Sequence, residues 1–413
     1  MRLQEHRSNN STKHAAPFLL SPSEAQAVAS IRRLGPLSRT EIAETIGYSR
    51  SKITSVVNVL THANILKEIG DGTSSGGRRP RVLDFNADFG YVVGVDLGAT
   101  SVDLAVANFG GQILHRESLE SDVRDGPDAT LGLIGRYLLE NLAHMGISPD
   151  KVYAFGIGVP GPVEFSTGLL IAPPIMPGWE AYPIHSYIQE SFPSTICIVD
   201  NDVNVMAMGE LRAGAGIEEE NFIFIKIGTG IGAGIVSNGE VYRGSNGSGG
   251  DIGHISADPS GPICHCGNIG CLEAIAAGPP IAARGIEAAR QGNSPILAKY
   301  LKANNGTLTA EDIGFAAAEG DPAANELIQE SGRIIGEVLA SLVNFYNPSL
   351  ILIGGGVSKI GHQFLASIRR GVLHRSLPLS TRHLRIDTSL MGSDAGITGA
   401  ITLALEHVFV VSE

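Results

Sequence analysis

The sequence lacks any apolar run of the roughly 20 residues that a transmembrane helix requires. Residues 1–16 are polar, and the apolar patch at residues 15–20 is too short for the core of a secretory signal. Positive charge is also deficient, because 30 Lys and Arg face 42 Asp and Glu for a formal net charge of −12. These absences predict a cytoplasmic protein without membrane insertion, and they argue against general nucleic-acid binding.

The charge is unevenly distributed along the 413 residues. Residues 1–85 hold 12 Lys and Arg against 7 Asp and Glu, a balance of +5, which leaves −17 for the rest of the chain. The length allows two to three domains of ordinary size. The asymmetry therefore predicts a small basic module joined to a large acidic one.

The basic segment carries the start signals of three helices. Ser21 with Glu24 and Ser38 with Glu41 form two capping boxes, and a third helix begins near Ser49. One face of this third helix is polar, and a glycine-rich loop with arginines follows it. The residues that we predict to contact DNA are Arg50, Ser51, Lys52, Ser55, Asn58, Arg78 and Arg79.

Two short strands are predicted on either side of that loop. Three helices followed by a basic hairpin are typical of a winged helix-turn-helix, in which small polar side chains reach base edges and cations hold phosphates. We therefore expect a DNA-binding domain over residues 21–86, preceded by a disordered arm over residues 1–20. The alternatives are a winged helix that binds another protein and a helix whose polar face is merely solvated.

Cysteine is scarce, and three of the four cysteines lie within eight residues. One imidazole and three thiolates complete the tetrahedral coordination of a structural Zn²⁺, which predicts a site formed by His254, Cys264, Cys266 and Cys271. The alternatives are a disulfide and free thiols, but Cys264 and Cys266 are too close in sequence for an easy unstrained bridge. The fourth cysteine, Cys197, lies in an apolar run.

The acidic part repeats a design of strand, glycine and threonine turn, and strand. Backbone N–H groups and hydroxyls of such turns bind phosphate, and an acid at a strand end can hold Mg²⁺. A third glycine turn follows a later strand. The residues predicted to contact a nucleotide are Asp96, Gly98, Thr100, Gly228, Thr229, Gly230, Gly355 and Gly356. The alternative for the first two turns is that each only connects two strands, and for the third that it is a packed turn from a strand to a helix.

A further apolar strand ends in the run Asp200, Asn201, Asp202 and Asn204, where a helix opens. One helix needs only one such N-cap residue, so the excess of acids and amides indicates a site. A carboxylate at this strand end can take the proton of a sugar hydroxyl during phosphoryl transfer.

Together these motifs, with the closing segment of residues 392–400, resemble the ROK family (repressors, open reading frames and kinases) over about residues 88–405. The wing at residues 76–80 is similar to the transcriptional-regulator branch. The resemblance implies an α/β, two-lobed actin-like (ribonuclease H-like) ATPase fold with mixed five-stranded sheets behind the winged helix. Lobe 1 would span residues 88–205 and be rejoined by a C-terminal helix at 395–410. Lobe 2, with the zinc-binding loop, would span residues 206–394.

The resemblance also implies a sugar pocket. Its residues would be Asn201, Asp202, Asp251, His254 and Glu273, with His254 contacting both sugar and zinc and Asp202 acting as the catalytic base in a kinase. Two positions depart from the family pattern. Asp251 stands where family kinases usually carry Glu, and prolines in the segment at residues 172–179 replace a sugar-binding Asn.

These features predict a DNA-binding transcriptional regulator, a repressor of carbohydrate genes, that responds to a sugar or sugar phosphate. It would bind a palindromic operator as a homodimer or tetramer. One alternative is an ATP-dependent sugar kinase using Mg²⁺ and ATP, with an appended DNA-binding domain. Another is a regulator released from DNA by a protein partner such as a transporter component.

Overall fold

The computed structural model describes residues 18–71 and 80–412. The predicted DNA contacts Arg78 and Arg79 and most of the predicted arm lie outside these residues. Within the described ranges, none of the helices combines the length and the apolar character needed to span a membrane.

The N-terminal head consists of three helices and a small antiparallel sheet. Both predicted capping boxes are present at the starts of the first two helices, and the second helix ends at Gly47 in the left-handed conformation. The sheet has the strand order β2-β4-β3. The elements are β1 (Phe18–Leu20), α1 (Pro22–Leu34), β2 (Leu37–Ser38), α2 (Arg39–Ile46), α3 (Arg50–His62), β3 (Leu66–Asp71) and β4 (Arg81–Phe85).

The first lobe is built on a five-stranded mixed sheet with the order β11-β8-β5-β6-β7. Strands β11, β8 and β5 are parallel, while β6 and β7 are antiparallel to their neighbours. The elements are β5 (Tyr91–Leu97), β6 (Ser101–Asn108), β7 (Ile113–Glu120), α4 (Pro127–His144), β8 (Val152–Val159), β9 (Val163–Glu164), β10 (Leu169–Leu170), α5 (Ile184–Ser191), β11 (Ile196–Asn201) and α6 (Asp202–Ala213).

The second lobe repeats this plan in a sheet of order β14-β13-β12-β15-β16, whose strands β12, β15 and β16 are parallel. Its elements, with those that close the chain, are β12 (Phe222–Ile227), β13 (Ile231–Ser237), β14 (Glu240–Tyr242), α7 (Leu272–Ala276), α8 (Gly278–Arg290), α9 (Pro295–Ala303), α10 (Ala310–Ala318), α11 (Pro322–Tyr346), β15 (Leu350–Gly354), α12 (His362–Arg375), α13 (Pro378–Thr381), β16 (Arg385–Thr388), α14 (Asp394–Val408) and β17 (Phe409–Val411).

Helices α6 and α14 pack against each other between the two sheets. Their backbones approach closely at Gly209 and Gly399, where an added Cβ would lie 2.1 Å from the carbonyl oxygen of Ala395 and 1.8 Å from that of Val205. Helix α14 also packs on β5 and β8, whereas α6 also packs on β12 and β13. The two helices therefore join the lobes through a shared apolar core.

Residues 18–20 differ from the predicted disordered arm, because they form a strand that pairs in parallel with β17. The ring of Phe18 stacks on that of Phe409 with centroids 5.3 Å apart, and it also contacts the rings of Phe89, Phe109 and Tyr153. This aromatic cluster fastens the beginning of the head to the end of α14. Local sequence patterns do not reveal such a contact, since its partner lies at the far end of the chain.

Candidate ligand cleft and metal centre

The parallel strands of the first lobe bring three predicted site residues to one edge of the sheet. Asp96 on β5 is in register with Gly158 on β8, which is in register with Asp200 on β11. A Cβ at Gly158 would lie 3.4 Å from both Asp96 Oδ1 and the Cα of Asp202. Asp96 and Asp202 are thus neighbours although they lie far apart in sequence.

Lys226 forms an ion pair with Asp202 across the two lobes. Side chains alternate along β12, so that Phe222 and Phe224 join the core shared with α6, and Lys226 emerges on their face. Burial lowers the pKa of Lys226, but the carboxylates of Asp202 and Asp96 outweigh it and raise the pKa above its usual value. Lys226 thus remains an ammonium group.

Asp96 is 7% exposed, and burial raises its pKa from 3.8 to about 7. The ammonium of Lys226 opposes this rise, while the carboxylate of Asp202 adds to it. The backbone of Gly396 at the start of α14 packs directly on the Asp96 carboxyl, since a Cβ there would meet Oδ2 at 1.8 Å. This predicted Mg²⁺ ligand is therefore enclosed by protein on one side, and the charge of Lys226 acts on it.

Asn201 and Asp200 are occupied by structural hydrogen bonds. Asn201 Oδ1 accepts from Val203 N at 3.0 Å as the N-cap of α6, and its Nδ2 donates to Gly161 O at 3.1 Å. The buried Asp200 carboxylate accepts from Arg243 Nε at 2.7 Å. Arg243 also lies over the ring of Phe165, 4.0 Å from its centroid, and so makes a second polar link between the lobes.

The four predicted zinc ligands converge on one point. The ligand atoms of His254, Cys264, Cys266 and Cys271 all lie within 4.8 Å of one another. Cys264 Sγ is 3.6 Å from His254 Nδ1, and Cys266 Sγ is 3.7 Å from Cys271 Sγ. Tetrahedral Zn²⁺ with ordinary bond lengths separates such pairs by about 3.6 and about 3.8 Å. The spacing therefore fits a tetrahedral zinc ion, and the cysteines are free in the structure.

A bound cation would change the ionisation of the three thiols. Burial, aided by the neighbouring thiols, raises the pKa of Cys271 to about 12, and burial also raises that of Cys264. A coordinated Zn²⁺ reverses this effect because it ionises its thiol ligands. With Nδ1 directed at the cysteines, the other nitrogen of His254 faces Asp251 Oδ1 at 3.9 Å.

Glu273 links the metal cluster to the glycine turn of the second lobe. It lies two residues after Cys271, in the first turn of α7, and its Oε2 accepts from Ile231 N at 2.9 Å. A side chain at Gly230 would collide with this carboxylate, because an added Cβ would lie 2.5 Å from Oε2. A displacement of Cys271 would therefore also displace Glu273 and the turn between β12 and β13.

The predicted phosphate turns occupy the ends of central strands in both lobes. Gly98 and Thr100 lie in the turn between β5 and β6, and Gly228 to Gly230 lie in the equivalent turn between β12 and β13. The backbone of Gly355 has φ +85° and packs on the carbonyl of Ile227, so the third turn abuts the second. Gly356 and the side chains of Thr100 and Thr229 are exposed.

Residues 92–407 match the sequence model of the ROK family, which is well over half of the 413 residues. The chain belongs to the ROK family. A xylose repressor of Caldicellulosiruptor bescii is 29% identical over 91% of this chain and 94% of its own length. The solved structure of a ROK family transcriptional regulator, a homologue of the E. coli MLC protein, has a TM-score of 0.79 at 27% identity and covers 93% of this chain and 95% of its own. A ROK family glucokinase from Streptomyces griseus, solved with glucose and AMPPNP, has a TM-score of 0.65 at 30% identity and covers 77% of this chain and 100% of its own.

The head of this ROK chain presents a polar helix face to solvent. Ile53, Val56, Val57 and Leu60 of α3 are buried. Glu68 of β3 forms ion pairs with Arg81 on the neighbouring strand β4 and with Arg39 at the start of α2. The residues predicted to contact DNA that lie on α3 are all exposed: Arg50, Ser51, Lys52, Ser55 and Asn58.

Sequence reasoning missed Lys226 and Arg243, two cations that pair with acids of the first lobe. A signal for Lys226 was available, because it interrupts an otherwise apolar strand two residues before a glycine turn. Its partner was not predictable, since the pairing depends on how the lobes dock. Arg243 lies in an ordinary polar loop, where no local pattern distinguishes it.

Proposed function

We propose that this ROK protein is a sugar-responsive, DNA-binding repressor of carbohydrate genes. The proposal rests on how much of this chain each kind of relative covers. The xylose repressor and the solved ROK regulator extend over 91% and 93% of this chain, whereas the glucokinase covers 77% of this chain with 100% of its own. What this protein shares with the regulators beyond the kinase is a segment of about the size of the head.

The head supports DNA binding as a winged helix-turn-helix over residues 21–86. Helix α3 would lie in the major groove as the recognition helix, and the β3–β4 hairpin would carry Arg78 and Arg79 as the wing. Small exposed side chains such as Ser55 and Asn58 suit contact with base edges, and Lys52 near the N-terminus of α3 suits a phosphate. Two heads of a homodimer would bind a palindromic operator in successive turns of the groove.

The metal cluster supports a structural Zn²⁺ held by His254, Cys264, Cys266 and Cys271. All four coordination positions would be filled by protein, which leaves none for a reacting water. The ion would fix the loop between Asp251 and Glu273, and it would orient the imidazole of His254 so that Nε2 is presented to the cleft.

The effector would be a sugar or sugar phosphate in the cleft beside this loop. The free oxygens of Asp202, Asp251 and Glu273 and the Nε2 of His254 would bind its hydroxyls, with Asn201 at the margin because both ends of its amide already have partners. Charged and polar hydrogen bonds of this kind specify hydroxyl positions. Sugar binding that draws the lobes together would act on α14. This helix begins beside Asp96 and ends at β17, the strand that pairs with β1.

Operator binding tests the DNA-binding half of the proposal. Lys52→Ala should weaken operator binding and reduce the slope of log affinity against log salt concentration by about 1, because one phosphate contact is lost. Lys299→Ala, an exposed lysine on α9, is the matched control and should leave the slope unchanged. An unchanged slope for Lys52→Ala would remove α3 from the interface.

A panel of aldoses and their 6-phosphates, added to the operator complex in fluorescence anisotropy, tests the effector half. One of them should change operator affinity by at least about tenfold, which corresponds to a coupling of about 1.4 kcal/mol. No response to any of them, with intact operator binding, would overturn the sugar-responsive part and favour release by a protein partner.

A further inference from the structure

We propose that Lys226 excludes a magnesium-bound nucleotide from the cleft, so that the sugar is bound and released without being phosphorylated. This inference rests on the proposed function for the identity of the effector. It concerns a different ligand, however, because it states that the relatives' nucleotide chemistry does not fit the residues of this chain.

The first support is the position of the Lys226 ammonium. It pairs with Asp202 Oδ2, and it interacts electrostatically with Asp96. Asp202 is the residue predicted to accept a proton in a kinase, and Asp96 is the residue predicted to hold Mg²⁺. One lysine thus pairs with the carboxylate of Asp202 and lies within electrostatic range of that of Asp96, the two groups on which magnesium-dependent phosphoryl transfer would depend.

The Lys226–Asp202 pair is also largely buried. The side chain of Lys226 is 22% exposed and that of Asp202 is 4% exposed, so water screens the pair weakly. A divalent ion beside this ammonium would meet twice the repulsion of a monovalent one. The Asp96 carboxyl cannot retreat toward a separate metal position, because Gly396 packs directly against it. The positive charge that pairs with Asp202 is therefore already supplied by the chain itself.

Lysines also bind nucleotide phosphates directly, which would make Lys226 an aid to nucleotide binding. The geometry favours exclusion of the nucleotide, because the ammonium of Lys226 is paired with the buried carboxylate of Asp202 and is not presented at the exposed glycine turn. Asp202 retains its second oxygen, Oδ1, for a sugar hydroxyl. The arrangement keeps a hydroxyl acceptor in the cleft and removes the metal position opposite it.

Titration calorimetry of the full-length zinc-loaded protein with magnesium and AMPPNP tests the inference. The variants are Lys226→Gln, which is neutral but still donates a hydrogen bond to Asp202, and Lys226→Arg, which keeps the charge. Lys299→Gln on α9 is the control for removing a lysine charge elsewhere. We expect no binding at millimolar nucleotide for the wild type, Lys226→Arg and Lys299→Gln, and a gain of at least about tenfold for Lys226→Gln.

Nucleotide binding by the wild type that Lys226→Gln weakens or leaves unchanged would overturn the inference. Circular dichroism and a melting curve check that Lys226→Gln is folded. If the variant is not folded, the wild-type protein still decides the question. Measurable binding of magnesium and AMPPNP to the wild type refutes exclusion. Absence of such binding, together with recovery of unmodified sugar after incubation with ATP, supports it. Failure of the proposed function is separate, because it is read from operator binding without nucleotide.

Discussion

Replacing Cys266 by serine should remove zinc and uncouple the sugar from the operator. Cys266 is the best residue to change because it is the exposed ligand, whereas Cys264 and Cys271 are buried and their loss would also disturb packing. Serine is a poor zinc ligand, so the site falls from four ligands to three. We expect about one zinc per chain in the wild type and close to none in Cys266→Ser.

The size of the effect on sugar binding follows from Glu273. In the proposed site zinc would hold Cys271, the residue before α7, and Glu273 in the first turn of α7 accepts from Ile231 N at 2.9 Å. A hydrogen bond to a charged group contributes about 1.5–3 kcal/mol. If loss of the metal releases this contact, sugar affinity should fall by about 10- to 150-fold. Operator affinity without sugar should stay within about twofold, because the head lies at the other end of α14.

Metal content by atomic absorption, sugar affinity by calorimetry and operator affinity by anisotropy test these values. Cys197→Ala is the matched control, because Cys197 is a buried thiol of β11 that is not part of the cluster. It should keep its zinc and its sugar affinity. The reasoning is refuted if Cys266→Ser loses zinc but retains full sugar affinity, since the metal would then not position Glu273.

Three further perturbations test the cleft. Arg243→Ala leaves the buried Asp200 carboxylate without its cation and should destabilise the protein by about 3–5 kcal/mol in urea unfolding; a loss below about 1 kcal/mol would contradict this. Burial raises the folded-state pKa of Asp96 from 3.8 to about 7. The folded protein therefore keeps its full stability at a pH below 3.8, where this carboxyl is protonated in both states. It loses stability as the pH rises through 7, because the buried carboxyl must then ionise. Asp96→Asn should therefore be the more stable protein at pH 8, by up to about 4 kcal/mol, and lose that advantage near pH 4. Gly355→Ala should lower stability by at least about 2 kcal/mol in a thermal melt, because its Cβ would lie 2.3 Å from a strand carbonyl, whereas Gly356→Ala has open space.

Signals that are local in sequence predicted the structure well. The two capping boxes place the starts of α1 and α2, and the amphipathic pattern of α3 separates its buried face from its polar one. The metal cluster was predictable for the same reason, because three of its ligands lie within eight residues and the chemistry of zinc defines the set. The expected pair of mixed five-stranded sheets is also present.

Contacts that depend on docking were not predictable. The Lys226–Asp202 and Arg243–Asp200 pairs join different lobes, and no periodicity within a strand indicates which acid lies opposite a cation. The same limit applies to residues 18–20, which pair with a strand almost 400 residues away. A short apolar segment next to a polar arm has the same local pattern whether it is free or bound to such a distant strand.

The pairing of β1 with β17 also determines when the head can be attached during synthesis. Helices α1 to α3 and their hairpin form from residues close in sequence, so the head can fold soon after it leaves the ribosome. Its anchor, β17, is translated last of all the described strands, after α14 has become available to fill the space between the sheets. A chain that has not yet reached β17 therefore lacks the strand pairing that fastens the head to the end of α14. The pairing becomes complete only when translation has passed residue 411.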